Sequence, residues 1–114
     1  MTRRNKYGAR KVVVGGETFD SVREYKRWNA LCGWEQAGLI TNLERQVKYV
    51  LAPGVRLAGE KRAKTELRYF ADFRYVDLMT GQTVVEDAKG RQTEAFRIKR
   101  HLMKSVHNID VRLS

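Results

Sequence analysis

Apolar and polar residues alternate along three stretches of the chain, and this alternation predicts three β-strands. The stretches cover residues 40–51, 65–76 and 83–89, and residues typical of turns separate them. In the second stretch the odd-numbered apolar residues are expected to share one face: Leu67, Tyr69, Ala71, Phe73 and Tyr75. Asp72 is then expected on the opposite face, because successive side chains of a strand alternate.

Two other stretches carry apolar residues at helical spacing and predict helices over 21–37 and 93–106. Two short apolar runs, 12–14 and 17–19, flank a pair of glycines and predict a small hairpin. A last strand is expected over 109–113. From the first helix onwards the predicted order is therefore α, β, β, β, α, β.

This order predicts an α/β (α+β) protein with a mixed central sheet flanked by two helices. A chain of 114 residues has the size of one hydrophobic core. We therefore expect a single domain over 12–114. Residues 1–11 hold five basic residues, no acid and no apolar period, and are expected to form a basic flexible arm.

The formal net charge is +10, and the excess of basic residues lies at the two ends of the chain. Such a charge in a small domain is typical of a nucleic-acid-binding protein, because neutralising phosphates releases counterions. Binding to anionic lipid, or solubility alone, is the alternative interpretation. The sequence has no apolar run long enough to cross a membrane, and its single cysteine is consistent with a reducing cytosol.

Acidic residues interrupt two of the apolar strands, where burying an unpaired charge is costly. Asp72 lies in the second strand and Asp87 near the end of the third, with Lys89 two residues later on the same face as Asp87. Two carboxylates on adjacent strands repel each other unless a cation lies between them. With oxygen ligands and no cluster of histidine or cysteine, Mg²⁺ is the expected cation, with Mn²⁺ as a substitute.

Taken in order, these residues resemble the signature of a known group of enzymes. Ala71-Asp72, a turn, and then 86–89 (Glu-Asp-Ala-Lys) resemble the signature of the PD-(D/E)XK nuclease superfamily, with alanine in place of proline. More narrowly, Lys6-Tyr7-Gly8, Phe19-Asp20-Ser21 with Glu24, and 85–90 resemble a family of small phage-borne proteins placed in that superfamily. The resemblance extends from about residue 6 to residue 111.

The resemblance implies a metal-dependent DNA endonuclease that leaves 5′-phosphate and 3′-hydroxyl ends. Asp72 and Asp87, with Glu24 and the carbonyl oxygen of Ala88, would hold one or two Mg²⁺ ions on the scissile phosphate. Lys89 would orient the attacking water or stabilise the developing charge. The resemblance also implies a homodimer acting on branched DNA such as a Holliday junction, in the cytoplasm of a bacterial host if the protein is phage-encoded.

Each candidate residue also has a purely structural interpretation. Glu24 lies three residues after Ser21, which is the spacing of a capping box. Asp72 is a candidate for an ion pair on an edge strand, and Asp87 for a cross-strand pair with Lys89. Glu86 should point away from Asp87, and we expect it to be structural.

Basic residues at both ends of the chain, together with one glutamine, are the candidates for contacts to DNA: Arg3, Arg4, Lys6, Gln46, Arg91, Arg97, Lys99, Arg100 and Lys104. For the residues of the second helix the alternative is a solvated helix face, and for Gln46 a solvated side chain. Two other functions stay open. One is a basic nucleic-acid-binding module without catalysis, and the other is a nuclease subunit active only within a larger complex.

Overall fold

The computed structural model describes residues 3–4 and 10–114. Its two helices are α1 (Val22–Gln36) and α2 (Glu94–His107). Its strands are β1 (Arg3–Arg4), β2 (Arg10–Val14), β3 (Glu17–Phe19), β4 (Ile40–Ala52), β5 (Leu67–Asp77), β6 (Thr83–Asp87) and β7 (Arg112–Leu113). None of the helices in this part of the chain is long and apolar enough to cross a membrane.

The strands form a central sheet and a small accessory sheet. The central sheet has the order β4-β5-β6-β7, and it is mixed because β7 runs parallel to β6 while the other neighbours are antiparallel. β1, β2 and β3 make the accessory sheet. The predicted mixed sheet with two helices, in the order α, β, β, β, α, β, is confirmed.

Both helices begin and end where the sequence supplies capping groups. The Ser21 hydroxyl accepts a hydrogen bond from the Glu24 backbone N–H, and the Thr93 hydroxyl accepts one from the Phe96 N–H. Each bond satisfies a backbone donor that has no partner within the first turn of the helix. Asn108 ends α2 in the left-handed conformation (φ 56°), which asparagine adopts more readily than most residues.

The two helices lie on opposite faces of the central sheet. Val84 packs in a core cluster with Leu31 of α1, whereas the next residue, Val85, packs in a cluster with Met103 of α2. Consecutive strand residues point to opposite faces. We call these faces the α1 face and the α2 face.

Both long strands change the face that their odd-numbered residues present, and the predicted single apolar face of β5 is therefore wrong. Tyr69 and Ala71 belong to the α2 cluster, but Phe73 belongs to the α1 cluster. The alternation of side chains between the two faces therefore breaks at Asp72, which lies between the buried residues Ala71 and Phe73. On β4 it breaks opposite this point, where Gln46 has a positive φ of 52°.

Several predicted boundaries also differ from the structure. The last strand covers Arg112–Leu113 rather than 109–113, because Ile109 and Val111 pack into the core beneath α2 instead of pairing along β6. β6 ends at Asp87, and β5 begins at Leu67. Of the predicted arm, the pairs Arg3↔Lys11 and Arg4↔Arg10 join β1 to β2, and the remaining residues of 1–9 lie outside the described chain.

The connection between β4 and β5 is an ordered turn. Val55 and Lys64 exchange backbone hydrogen bonds and close residues 55–64 into a loop. Gly54 lies against this bridge, and a Cβ atom at that position would come within 2.7 Å of the Lys64 carbonyl oxygen. Only glycine fits there without a shift of the backbone.

Candidate functional site

Three buried carboxylates from different elements lie near one another where the central sheet loses its regular pairing. Asp72 comes from the middle of β5, Asp87 is the last residue of β6, and Glu24 lies in the first turn of α1. Their exposed fractions are 7%, 1% and 2%. Buried acids are rare unless they are paired or bind a metal. We call these three residues the acid cluster.

Asp72 and Asp87 hold each other in place through the backbone. The Asp72 N–H donates to Oδ1 of Asp87 at 2.8 Å, and the Ala88 N–H donates to Oδ2 of Asp72 at 2.9 Å. The Tyr69 hydroxyl donates to Oδ2 of Asp87. The regular pairing of β5 with β6 stops at Phe73↔Glu86, so these side-chain bonds continue the connection between the strands. Both carboxylates are therefore held in fixed orientations.

Gln46 approaches the acid cluster from β4. Its side-chain amide donates to Oδ1 of Asp72 at 3.3 Å. Its backbone has φ 52°, a conformation that costs a residue other than glycine about 1 kcal/mol. The left-handed turn in the strand places the amide beside Asp72. The structure thus gives Gln46 a contact to the acid cluster, whereas the sequence left a phosphate contact and a solvated side chain as alternatives.

Glu24 is paired with Arg45, which projects from β4 onto the α1 face. Nη2 of Arg45 donates to Oε1 of Glu24 at 3.1 Å. The guanidinium also lies over the rings of Phe19, at 3.9 Å, and Trp28, at 5.5 Å. Its Nε atom is buried without a hydrogen-bond partner in the described chain. The Glu24 backbone caps the helix through Ser21, while the Glu24 carboxylate faces Arg45 and the other acids.

Burial and the charges of neighbouring acids raise the pKa of two members of the acid cluster, Asp72 and Glu24. Burial is the largest cause that raises the pKa of Asp72, followed by the charges of Asp87 and Glu24, and together they raise it to about 8. Burial also raises the pKa of Glu24, although the hydrogen bond from Arg45 partly counteracts it. Perturbed carboxylates of this kind concentrate at functional sites.

Basic side chains surround the acid cluster. Lys89 extends along the α2 face, where its Nζ lies 5.0 Å from the centre of the Phe96 ring, and its charge lowers the pKa of Asp72. Arg100 of α2 is close enough to Tyr69 to lower the pKa of that hydroxyl, although burial outweighs it. On the other side, the Arg23 guanidinium lies beside Gly90, about 3.5 Å from where a Cβ would stand.

Two adjoining basic grooves continue from Lys89 along α2. The first has a volume of about 540 Å³ and is lined by Lys89, Gly90, Arg91, Gln92, Thr93, Glu94 and Arg97. The second, of about 390 Å³, includes Arg97, Arg100 and Lys104, and Lys104 also pairs with Asp110 at 2.8 Å. Lys99 lines neither groove. The side chains of Arg3 and Arg4, and the whole of Lys6, lie outside the described residues.

Glu86 is directed away from the acid cluster, onto the α1 face. Its carboxylate accepts hydrogen bonds from Arg27 at 2.7 Å and from the Tyr75 hydroxyl at 2.6 Å. Burial acts to raise the pKa of Glu86, but these hydrogen bonds outweigh it and hold the pKa below its ordinary value. Glu86 therefore connects α1 to the sheet as a paired buried charge.

The carboxylate oxygens of the acid cluster are suitable ligands for a hard divalent cation, although the three carboxylates do not converge on one point. Carboxylate oxygens are the ligands that Mg²⁺ prefers, and an oxygen that accepts one hydrogen bond keeps a second lone pair. A cation would also relieve the repulsion that raises the pKa of Asp72. Across residues 10–114, however, no three His, Cys, Asp or Glu side chains are arranged as a closed metal site.

Three residues at the site were not singled out by the sequence analysis. Tyr69 holds Asp87, Arg45 pairs with Glu24, and Arg23 lies beside Gly90. Arg45 carried a usable signal, because it is a charged residue at an odd-numbered, otherwise apolar position of β4. Tyr69 and Arg23 had none, because their partners come from distant parts of the sequence.

Comparison with known proteins places the chain in a family without assigning it a function. Neither the curated proteins nor the solved structures contain a significant match to this sequence. Residues 4–114 match a family described as protein of unknown function (DUF1064). Because this match spans nearly the whole chain, the protein belongs to the DUF1064 family.

Proposed function

We propose that the protein is a metal-dependent DNA endonuclease of the PD-(D/E)XK type. The observation that carries this proposal is the acid cluster, three buried carboxylates with Lys89 close enough to Asp72 to lower its pKa, in a chain of net charge +10. Buried like charges repel each other and lower the stability of the fold, and a bound divalent cation would offset that repulsion. Such a cation on a DNA phosphate would account for both the acids and the surrounding basic residues.

Asp72 and Asp87 would hold Mg²⁺ or Mn²⁺, with the Glu24 carboxylate and the Ala88 carbonyl oxygen as further ligands. Bound there, the cation would supply Lewis-acid activation of the scissile phosphate and of water. Tyr69 and the Asp72 backbone keep the Asp87 carboxylate oriented. Lys89 extends along the α2 face from the same strand end, and its ammonium would bind the phosphate oxygens on which negative charge develops.

The basic grooves along α2 would bind the phosphates that flank the cleaved bond. Contacts to phosphates position DNA without reading its sequence. A chain of this size has little surface left for reading bases in the grooves of a duplex. We therefore propose a substrate recognised by its shape, such as branched or junction DNA, cut by a homodimer that presents one site to each strand. A phage-related role in the bacterial cytoplasm is part of the same proposal.

The alternative is a nucleic-acid-binding module, or a nuclease subunit that is active only within a complex. One observation favours it: the three acids do not form a closed metal site in the described chain. A binding module requires only the basic surface, and a subunit would close its metal site on contact with a partner. Both alternatives predict DNA binding by the isolated protein without cleavage.

The proposal is tested by incubating the purified protein with a fluorescent four-way junction and with a linear duplex of the same sequence. Each is assayed with Mg²⁺, Mn²⁺ or EDTA. We expect metal-dependent cleavage of the junction, and its loss in Asp87→Asn and Lys89→Ala. Glu60→Gln is the matched control, because Glu60 is an exposed acid in the turn between β4 and β5, outside the acid cluster and both basic grooves.

Cleavage by wild type and Glu60→Gln, but not by the other two variants, would support the endonuclease. Binding of the junction by all four proteins, with no cleavage under any metal, would overturn the catalytic proposal for the isolated chain. Cleavage that survives in folded Asp87→Asn would show that the nuclease activity comes from elsewhere.

A further inference from the structure

The α1 face of the central sheet has a covered part and an open part, and the acid cluster lies at their boundary. Phe73 and Tyr75 are buried beneath α1. Beyond the break in alternation at Asp72, the next residue of β5 on this face is Phe70, because Tyr69 and Ala71 point to the α2 face. Phe70 is 47% exposed. An aromatic ring thus faces solvent two residues from Asp72.

Basic side chains flank this ring on the same face. Lys48 is the cross-strand partner of Phe70, and Val50 is the partner of Arg68, which lies two residues before Phe70. Lys48 forms an ion pair with Glu66 at 3.2 Å, and Arg68 is exposed. We call Phe70, Lys48 and Arg68 the aromatic platform. A ring between two cations can stack on a nucleobase while the cations contact its phosphates.

We infer that the aromatic platform binds an unpaired nucleotide of the DNA strand that reaches the acid cluster. This inference rests on the proposed function and deepens it by naming unpaired DNA next to the cleavage site as the substrate feature. Two residues of a strand span about 7 Å, so Phe70 lies close enough to Asp72 to contact a nucleotide near the scissile phosphate. A base within a duplex is already stacked, and it cannot stack on Phe70 as well.

Charge distinguishes DNA from a second copy of the chain as the occupant of this surface. The turn beyond the platform, residues 55–64, is also basic on balance, because it carries Arg56, Lys61, Arg62 and Lys64 against one acid, Glu60, which pairs with Lys64. A two-fold contact places the same patch on both partners, so a dimer through this face would bring these cations against each other. A nucleic-acid backbone complements them instead.

The test measures DNA binding in EDTA, so that the result does not depend on cleavage. The probes are a fluorescent duplex with an unpaired thymine tail and the same duplex with blunt ends. A 2-aminopurine in the tail reports stacking. The variants are Phe70→Ala and Phe70→Trp, with Leu67→Ala as the matched control. Leu67 is an exposed apolar residue of the same strand (55%), and strand alternation from Tyr69 places it on the opposite face from Phe70.

We expect Phe70→Ala to weaken binding of the tailed duplex by about tenfold and to abolish quenching of the 2-aminopurine, with little effect on the blunt duplex. Phe70→Trp should retain tight binding, and Leu67→Ala should behave as wild type. Equal losses for both probes, or an equal loss in Leu67→Ala, would overturn the inference. A change of oligomeric state in Phe70→Ala would also overturn it, because the ring would then contact a second copy.

The two proposals fail separately. Selective binding of the tailed duplex by a protein that never cleaves DNA would support the aromatic platform and contradict the proposed nuclease activity. If Phe70→Ala changes neither DNA binding nor metal-dependent cleavage, the nuclease proposal is supported and the aromatic platform is contradicted.

Discussion

Replacing Asp72 with asparagine should stabilise the protein while it abolishes cleavage. The pKa of Asp72 in the folded protein is about 8, against an ordinary value of 3.8. Between these two values the unfolded chain has already released the proton that the folded protein still holds. The free energy of unfolding therefore falls as the pH rises from about 4 to about 8. Asparagine never ionises, so the variant escapes this loss.

The structure sets the size of the effect. Each unit of pKa shift corresponds to about 1.4 kcal/mol. At pH 8, where folded Asp72 is half ionised, the loss in the free energy of unfolding of wild type is therefore at most about 5 kcal/mol. Asparagine can still accept from the Ala88 N–H, but Gln46 must rotate its amide to face the new NH₂ group, at a cost of about 1 kcal/mol. We expect the free energy of unfolding of Asp72→Asn to exceed that of wild type by at least about 2 kcal/mol at pH 8, which corresponds to about 8 °C in Tm.

The assay is thermal unfolding of wild type and Asp72→Asn from pH 4 to pH 8, with and without Mg²⁺. The difference between the two proteins should be small at pH 4 and largest at pH 8. Saturating Mg²⁺ should raise the Tm of wild type at pH 8 and leave that of the variant unchanged, since a ligand stabilises only the state that binds it. A variant that is less stable than wild type at every pH would refute this reasoning.

Three further predictions concern other parts of the molecule. Arg27→Met leaves Glu86 buried without its cation, so denaturant unfolding should show a loss of about 3–5 kcal/mol, and a loss below about 1 kcal/mol would contradict the role of this pair. Gly54→Ala forces a Cβ against the Lys64 carbonyl and should cost about 1–3 kcal/mol in the same assay, whereas an unchanged midpoint would contradict the close contact. Lys89→Ala should lower the cleavage rate at least about 100-fold while the far-UV circular dichroism stays that of wild type, and an unchanged rate would remove Lys89 from the mechanism.

The sequence predicted the elements of this fold well because their signals are local. Alternation, helical spacing and capping residues located α1, α2 and the central strands to within a few residues. The switch of face at Asp72 was missed, because it depends on the pairing of β5 with β4 and on the left-handed conformation of Gln46. Strict alternation cannot indicate where a strand changes face.

The candidate site divides in the same way. Asp72, Asp87 and Glu24 could be singled out because an acid in an apolar stretch is costly wherever it occurs. Arg45 stood out as a charge in an apolar pattern, but its partner and that of Tyr69 could not be assigned, since these contacts span 21 and 18 residues of sequence. Whether the three acids approach closely enough to share a cation is likewise a property of the packed structure.

The most direct test of the acid cluster is a titration with Mn²⁺ followed by the electron paramagnetic resonance signal of the free ion, on wild type, Asp72→Asn and Glu60→Gln. Glu60 is an exposed acid in the turn between β4 and β5, remote from the cluster in the sequence. We predict saturable binding by wild type and Glu60→Gln and its loss in folded Asp72→Asn. Equal binding by all three proteins, or binding by none of them, would contradict the assignment of these carboxylates as the metal ligands of a nuclease.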